Sequence, residues 1–339
     1  MSEHINAVIT GTGSYIPEIK VSNFDFEKTL DTSDEWIVSR TGIRNRHYAA
    51  KGETTADMAY QAASRAIEDS GCDPAEIDMI VVGTITPDYS LPSTATLIQA
   101  RLGAVNSAAF DIAAACAGFI HALNIGRAMM IADEYERILV VGAEKLTHLL
   151  DFSDRSTCVL FGDGAGAAVI EKKYEASHRG VLGSYLNSDG TKKELLWVPV
   201  GGVAEPFTSD NVDASGRYLH MQGNEIFKLA VRAMCDAARV ALRKSNLTVN
   251  QIDWLIPHQA NIRIIDGVAR RLKIERDKVF FNIEKVGNTS AASVPLALDE
   301  ARRKGLIKDG DDVLMDAFGG RMAWGGAVIK WSARTEVQT

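Results

Sequence analysis

The segment FGDGAGAAVI, residues 161–170, returns in modified form later in the chain as FGGRMAWGGAVI, residues 318–329. Two more pairs of segments recur in the same order: IDMIVV at 77–82 with IDWLIP at 252–257, and FDIAAACAG at 110–118 with FNIEKVGNTS at 281–290. A repeat of this length indicates two fused copies of one structural unit rather than a short-repeat solenoid. We therefore predict an N-terminal half over residues 1–174, a C-terminal half over residues 175–339, and a functional site between them.

Around these repeats, apolar segments of strand length alternate with longer helical patterns. Buried strands are predicted at 77–86, 137–145, 252–260 and 311–320. Their nearly continuous hydrophobicity favours sheets that are covered on both faces. A helix is predicted over 54–71, with Thr54 or Thr55 as its N-cap and Gly71 at its end, and a longer one over 224–246. The fold class is α/β.

The composition excludes several functional classes. A formal net charge of −7 over 339 residues argues against nucleic acid as a partner, because phosphate binding requires a basic surface. The sequence shows neither a signal peptide at its start nor an apolar segment of the roughly 20 residues that cross a membrane, so no membrane association is expected. The four cysteines are widely spaced and form no C-x-x-C, which favours a reducing cytoplasm over a disulfide framework or a zinc site.

The glycine-rich segments do not predict a nucleotide cofactor. A dinucleotide loop needs a strand, a glycine turn and then a helix, whereas GTGSYIP at 11–17 places Ile16 and Pro17 where that helix would begin. The seven histidines form no H-x-x-x-H pair that would suggest a metal centre. The sequence therefore predicts no cofactor and no metal.

Cys116 stands out because small residues surround it in DIAAACAGFIHAL, residues 111–123. It follows a predicted short strand at 110–113 and precedes a predicted helix from Ala117 to about Met130. A thiol at a helix N-terminus is expected to have a pKa below the usual value of about 8.5, which favours the reactive thiolate. The alternative is a buried structural cysteine, which is the usual role of a free cysteine.

Two more polar residues follow predicted buried segments. His258 ends the apolar strand in IPHQAN, at the sheet edge where open α/β folds bind their ligands. Asn288 lies in a turn before a helix, in the segment matched to Cys116 in the other half. Taken singly, His258 suits a core or capping role and Asn288 an N-cap. A thiol with a histidine and an asparagine, without a carboxylate to orient them, favours acyl-thioester chemistry over proteolysis.

The sequence resembles the β-ketoacyl-acyl-carrier-protein synthase III family over essentially its whole length. The segments that carry the resemblance, in order, are DTSDEWIVSRTGIRNRH, DIAAACAGF, FGDGAGA, PHQANIRII, GNTSAASVPLALDEA and FGG…WGGA. The resemblance implies a thiolase-like fold in which two duplicated α/β halves form a layered α-β-α-β-α core. It also implies a condensing enzyme that initiates type II fatty-acid synthesis.

The resemblance assigns roles to residues at matching positions. Cys116 would be the nucleophile that takes the acyl group from acyl-CoA, and His258 and Asn288 would bind the malonyl thioester and stabilise the enolate left by decarboxylation. The backbone N–H groups of Cys116 and Gly320 would form the oxyanion hole, where a side chain at position 320 could obstruct the tetrahedral intermediate. The reaction would give 3-oxoacyl-acyl-carrier protein, CoA and CO2.

The resemblance further implies two binding surfaces and a homodimer. Residues that would contact the acyl-CoA substrate are Trp36 and Arg155 around the adenine, Arg40, Thr41 and Asn224 along the pantetheine tunnel, and Phe161 and Leu91 at the acyl pocket, Leu91 reaching the pocket of the partner. An acidic acyl carrier protein would dock on Lys228, Arg263, Arg270 and Arg271, although mixed charge of this kind usually indicates a solvated face.

Three alternatives remain at this point. A paralogue with the same catalytic set could make a quinolone or a polyketide starter, and the sequence separates it poorly from a fatty-acid enzyme. A degradative thiolase would need a second active-site cysteine, but Gly320 and Arg321 occupy the C-terminal glycine turn. A non-catalytic module of the same fold would lack at least one member of the catalytic set. The family usually has glycine at 321 and often an aromatic residue at 91.

Overall fold

The computed structural model describes residues 4–132, 135–175, 179–212 and 215–332. In this part of the chain the strands are β1 (His4–Tyr15), β2 (Ile19–Ser22), β3 (Asn45–Tyr48), β4 (Met79–Gly83), β5 (Ala108–Ile112), β6 (Arg137–Glu144), β7 (Gly164–Glu175), β8 (Gly180–Ser188), β9 (Leu196–Trp197), β10 (His220–Met221), β11 (Trp254–Pro257), β12 (Asp312–Gly319) and β13 (Ala323–Lys330). The helices are α1 (Asn23–Glu27), α2 (Asp34–Thr41), α3 (Thr55–Ser70), α4 (Thr94–Leu102), α5 (Gly118–Ile131), α6 (Gly223–Lys244), α7 (Ile262–Leu272), α8 (Ile283–Val286) and α9 (Ser293–Arg303).

Two central sheets repeat one strand order. The first sheet runs β1-β7-β6-β4-β5 and the second runs β8-β13-β12-β11. In the first sheet β6 and β4 are parallel, and in the second sheet β12 and β11 are parallel. The pairs that precede them in the two strand orders are antiparallel. The counterpart of β5 is reduced to a bridge between Leu255 and Val279. The repeated segments of the sequence therefore occupy equivalent places in the two sheets.

Helices and sheets stack in five layers. Helices α5 and α9 lie between the sheets, where α5 contacts β4 and β6 on one side and β13 and β8 on the other. Helices α3 and α4 cover the outer face of the first sheet, and α6 and α7 cover the outer face of the second. The predicted layered α-β-α-β-α fold is confirmed.

Local signals in the sequence explain where the elements begin and end. Thr54 caps α3 by accepting a hydrogen bond from the Asp57 amide, and Gly71 ends the helix with a φ of 70°. All residues of β4 are buried, as expected for a strand covered on both faces. Over the described residues, no helix combines the length and apolar character needed to cross a membrane.

Candidate active site

Cys116 lies in a 3-10 turn, Ala115–Ala117, between β5 and α5. The predicted helix thus begins with a tighter turn before Gly118, and Ala115 adopts a left-handed φ of 47°. The small residues are needed for close backbone packing: a Cβ added at Gly83 would lie 2.7 Å from the Gly118 carbonyl carbon, and one at Gly118 would lie 3.1 Å from Ala291. The turn is therefore wedged between the first sheet and the segment that follows Asn288.

Two backbone donors meet the Cys116 sulfur. The N–H groups of Cys116 itself and of Gly320 lie close enough to the sulfur to lower its pKa. A Cβ at Gly319 would lie 2.5 Å from the Cys116 nitrogen, whereas one at Gly320 would lie 3.0 Å from the Leu196 side chain and 3.6 Å from the Leu196 carbonyl oxygen. The stricter requirement for glycine is therefore at 319, the residue before the predicted donor. Fixed N–H groups of this kind can stabilise an oxyanion.

The expected lowering of the Cys116 pKa is wrong for this thiol. The side chain is 7% exposed, and burial raises its pKa to about 11, although hydrogen bonds from the Ser290 hydroxyl and the Gly320 amide act in the opposite direction. Burial disfavours the thiolate because the charge loses its hydration. Burial is the largest influence on this pKa, so the thiol needs an acceptor for its proton.

His258 is held rigidly at the carboxyl end of β11. Its backbone amide donates to the Asp316 carbonyl at 2.8 Å, and its ring Nδ1 lies 2.6 Å from the Ser293 hydroxyl oxygen. Because that oxygen also accepts a hydrogen bond from the Gln259 amide, we assign the Ser293 hydrogen to Nδ1 and the ring hydrogen to Nε2. Burial lowers the His258 pKa to about 3, which keeps the ring neutral.

Asn288 is fixed through both its backbone and its side chain. Its amide donates to the Leu160 carbonyl at 2.9 Å and its carbonyl accepts from Gly162 at 3.0 Å, which joins the two halves at this point. The side-chain Oδ1 accepts from the Ser290 amide at 2.9 Å. The amide group is therefore oriented with Nδ2 as its available donor.

These three side chains line one cavity of about 420 Å³. Its walls also contain seven of the predicted binding residues: Trp36, Arg40, Thr41, Arg155, Phe161, Asn224 and Arg263. Gly320 lines a neighbouring cavity of about 600 Å³, and both cavities contact Leu196. Leu91 is not brought to either cavity; it is 87% exposed on the loop before α4.

Two arginine side chains stack on Trp36 at the mouth of the cavity. The Arg155 guanidinium lies 5.2 Å from the centre of the Trp36 ring, and the Arg40 guanidinium lies 4.7 Å from it. A planar base between Arg155 and Trp36 needs two contacts of about 3.5 Å each, so this pair must open to hold one. Arg155 also binds the exposed Asp31 carboxylate at 3.3 Å. The hydroxyl of Thr41, the last residue of α2, donates a hydrogen bond to the Ile37 carbonyl of the same helix at 2.7 Å.

The predicted basic residues fall into separate groups. Lys228 and Arg271 share a depression with Lys192 and Arg232 between α6 and α7. Lys228 is 3.2 Å from the Glu225 carboxylate, as expected of a partly neutralised surface. Arg263 lies at the mouth of the Cys116 cavity and stacks on Phe227 at 5.6 Å. Arg270 is exposed on α7 and lines neither of these cavities.

Three site residues were missed in the sequence. Ser293 orients His258, Ser290 contacts the Cys116 thiol, and Glu144 accepts a hydrogen bond from Ser290. Both serines lie within the recognised motif GNTSAASVP, and Glu144 is the charged residue that ends the otherwise apolar run of β6 after Arg137. These positions give a weak signal that becomes informative only when the packing is known.

No cluster of three or more metal-ligating side chains is found among the residues that the structure describes.

Comparison with protein families matches residues 110–190 to the 3-oxoacyl-[acyl-carrier-protein] synthase III model and residues 242–331 to the model of the C-terminal part of that enzyme.

Individual proteins are similar over nearly the whole chain. The β-ketoacyl-[acyl-carrier-protein] synthase III of Caldanaerobacter subterraneus is 51% identical over 98% of this chain and 100% of its own length. The crystal structure of 3-oxoacyl-[acyl-carrier-protein] synthase III from Aquifex aeolicus is 44% identical, with a TM-score of 0.89 over 96% of this chain and 100% of the other. The priming β-ketosynthase of the R1128 polyketide biosynthetic pathway is 38% identical, with a TM-score of 0.90 over 99% of both chains.

Proposed function

This chain belongs to the β-ketoacyl-acyl-carrier-protein synthase III family, and on that basis we propose that its condensation proceeds in two half-reactions at Cys116. The protein is an acyltransferase, an initiating condensing enzyme of fatty-acid synthesis. The substrates are an acyl-CoA and malonyl-acyl-carrier protein. The products are 3-oxoacyl-acyl-carrier protein, CoA and CO2.

In the first half-reaction, the Cys116 sulfur attacks the carbonyl carbon of the acyl-CoA. The developing oxyanion accepts hydrogen bonds from the N–H groups of Cys116 and Gly320, which already converge on the sulfur. CoA then leaves through the mouth lined by Trp36, Arg40 and Arg155. The acyl group remains as a thioester on Cys116, with Phe161 as a wall of the same cavity.

In the second half-reaction, the malonyl thioester takes the place vacated by CoA. Its carbonyl oxygen accepts hydrogen bonds from His258 Nε2 and Asn288 Nδ2, which stabilise the enolate formed when CO2 leaves. A neutral imidazole suits this role because it donates without adding a mobile proton to the site, and the pKa of about 3 keeps it neutral at physiological pH. The enolate carbon attacks the acyl carbon, the bond between that carbon and the Cys116 sulfur breaks, and the thiolate released takes up a proton from water.

The observation that carries this function is the meeting of Cys116, His258 and Asn288 in one cavity, although they are far apart in sequence. A direct test incubates the enzyme with acetyl-CoA and malonyl-acyl-carrier protein and measures CoA, CO2 and 3-oxoacyl-carrier protein. Equal amounts of the three products support the function. Hydrolysis of acetyl-CoA without a condensation product would contradict it.

A second candidate is the paralogous enzyme that makes a specialised metabolite from acyl-CoA. It is favoured by the similarity to the R1128 priming β-ketosynthase over nearly the whole of both chains. Both candidates use the same catalytic set, so they differ in the acyl group and in the carrier protein. Competition between carrier proteins of the two kinds at equal concentration separates them.

The proposal also covers the two halves of the chain, the cellular compartment and the oligomeric state. The halves 1–174 and 175–339 enclose the site, and the enzyme works in the cytoplasm without cofactor or metal, as a homodimer. The exposed apolar side chains of Tyr89 and Leu91, 60% and 87% exposed, support a partner that covers this loop.

Docking of the acidic carrier protein is tested by charge reversal. Arg263→Glu is expected to raise the KM for malonyl-carrier protein about 10-fold at low salt, with a smaller effect at high salt, because screening weakens attraction between exposed charges. Acylation by acyl-CoA should change little. Stopped-flow kinetics at several salt concentrations measure both half-reactions.

Arg263 also lines the mouth of the cavity, so Arg271→Glu, which lies outside it, provides a second variant. Lys51→Glu, at an exposed turn, is the matched control for the charge change. Docking on this surface is contradicted if Arg263→Glu and Lys51→Glu have the same effect, or if both half-reactions fall equally.

Primer length is tested at Leu91. If this residue closes the partner's acyl pocket, a leucine leaves more room than a phenylalanine, and one methylene of space is worth about 1–3 kcal/mol in discrimination. The enzyme is then expected to accept primers of roughly four to eight carbons, or branched ones, as well as acetyl-CoA. Leu91→Phe should lower kcat/KM for these primers about 10-fold relative to acetyl-CoA.

The measurement is kcat/KM over a series of acyl-CoA chain lengths for both proteins. A rearrangement of Phe161 and its neighbours could fill the extra space instead. In that case the wild type would be strict for acetyl-CoA and Leu91→Phe would change nothing.

A further inference from the structure

The buried carboxylate of Glu144 is separated from the Cys116 thiol by a single side chain, that of Ser290. It takes no part in the two half-reactions described above. Glu144, at the end of β6, is completely buried. Its Oε2 accepts hydrogen bonds from the Thr86 hydroxyl at 2.7 Å, the Ile85 amide at 3.1 Å and the Thr84 hydroxyl at 3.2 Å. Its Oε1 accepts from the Ser290 hydroxyl at 3.1 Å. One oxygen thus anchors a loop, and the other faces the site.

Ser290 connects this carboxylate to Cys116. Its hydroxyl donates to Glu144 at 3.1 Å, which leaves the oxygen lone pairs free to take the proton of the neighbouring Cys116 thiol. Once the thiolate has formed, the same hydroxyl is close enough to donate to the sulfur, and this lowers the Cys116 pKa. The serine has a left-handed φ of 49°, and its neighbour Ala291 packs against Gly118 in the Cys116 turn. A strained residue in a tightly packed turn holds the hydroxyl between the two groups.

The Cys116 thiol is the titratable group that Ser290 links to Glu144, and the charge of Glu144 raises the pKa of that thiol. Its hydrogen-bond partners from the 84–86 loop and the Ser290 turn are neutral hydroxyls and an amide. Among the described residues no lysine, arginine or histidine side chain hydrogen-bonds this carboxylate. The adjacent Lys145 directs its ammonium group to the Glu53 carbonyl, and the His258 ring is bonded to Ser293.

We propose that Ser290 and Glu144 form a proton relay that accepts the Cys116 proton during acylation. This inference rests on the proposed function. As the sulfur lone pair forms the new bond to the acyl carbon, the thiol proton passes to the Ser290 oxygen and the Ser290 hydrogen passes to Glu144. The bond between that carbon and the CoA sulfur then breaks, and its electron pair stays on the CoA sulfur. The proton returns through Ser290 to this sulfur, which gives the CoA thiol and restores the Glu144 carboxylate.

The proton affinities of the two ends suit this transfer. Burial raises the pKa of Glu144 to about 7, with its hydrogen bonds acting in the opposite direction, so the carboxylate is a stronger base than an ordinary glutamate and is ionised above neutrality. A general base is most effective when its pKa lies near the working pH. His258, with a pKa of about 3 and Nδ1 already engaged, is a weaker acceptor for the thiol proton.

The relay is tested by Glu144→Gln and Ser290→Ala. The glutamine is nearly isosteric: its oxygen can keep the three bonds to the loop while its NH2 group faces Ser290 and accepts no proton. Acylation near pH 7 is expected to slow about 100-fold in either variant, since general-base assistance contributes roughly 10²–10⁴-fold. The two effects should not be additive in the double variant, because each breaks the same path.

The pH profile separates a relay from a structural role. In the wild type, the rate at which iodoacetamide alkylates Cys116 should level off above about pH 7, as Glu144 ionises. In both variants the rate should keep rising towards about pH 11, where the thiol ionises unaided. Iodoacetamide needs no CoA site, so this probe tests the relay even if the proposed substrates prove wrong.

Thr84→Val is the matched control, because it removes hydrogen bonds around Oε2 without touching the path to Cys116. It is expected to lower the melting temperature while keeping a pH profile of alkylation that levels off, at a slightly higher pH than in the wild type because a hydrogen bond that lowers the Glu144 pKa is lost. The relay is overturned if Glu144→Gln and Ser290→Ala retain that profile as well. It is also overturned if Thr84→Val shifts the profile as much as they do, which would leave Glu144 a structural anchor.

Discussion

Cys116→Ala is expected to abolish acyl transfer from acyl-CoA, with a loss on the order of 10⁴-fold or more. The reason is chemical: Cys116 carries the thiol that lines the cavity beside the N–H groups of Cys116 and Gly320. The fold should be unchanged, since alanine suits a turn already built from small residues. Release of CoA and covalent labelling of the protein measure the loss.

Cys72→Ala is the matched control for this variant. Cys72 is a half-buried cysteine outside the cavity, where the Ser70 hydroxyl lies 3.1 Å from its sulfur. It should acylate at the wild-type rate, and both variants should unfold at the wild-type temperature. Acyl transfer that persists in a correctly folded Cys116→Ala protein would show that another group is the nucleophile.

His258→Ala and Asn288→Ala are expected to separate the two half-reactions. Both variants should still form the acyl-enzyme, because neither side chain is needed for attack by Cys116. Condensation should fall about 10³-fold in each, which is the usual order for loss of one preorganised donor to an oxyanion. Single-turnover measurements of acylation, and of 3-oxoacyl-carrier protein formed from preformed acyl-enzyme, give the two rates.

Asn288→Asp provides a sharper version of this experiment. The carboxylate has nearly the shape of the amide but offers no donor and repels the negative enolate, so condensation should fall further than in Asn288→Ala. Condensation at the wild-type rate in His258→Ala would contradict the assignment of that residue. Equal loss of acylation and condensation would indicate damage to the fold.

The duplicated α/β fold could be predicted because its strand-forming segments occur twice in the sequence. The repeated apolar and FG-containing segments indicated two copies of one α/β unit, the family resemblance implied their layered arrangement, and Thr54 and Gly71 marked the ends of α3. The counterpart of β5 could not be predicted. In the second half the pairing is the single bridge between Leu255 and Val279, although FNIEKVGNTS matches FDIAAACAG, which begins within β5.

The site was only partly predictable for a similar reason. Cys116, His258 and Asn288 follow strands or turns whose positions the sequence reveals, but the pKa of the thiol depends on how completely the neighbouring turns cover it. The bond between His258 and Ser293 depends on where α9 begins relative to β11, which is a matter of tertiary packing. Leu91 is 87% exposed, so its place in the acyl pocket of a partner stays a prediction.

The most direct test of the account is to trap the acyl group and then remove it. The enzyme is incubated with an acyl-CoA, digested and examined by mass spectrometry, and a second sample is first chased with malonyl-acyl-carrier protein. The account predicts that the acyl group is found on Cys116 as a thioester and that the chase removes it, with one 3-oxoacyl-carrier protein formed per acyl group lost. An acyl group on a different residue, or one that stays on Cys116 while product accumulates, would contradict it.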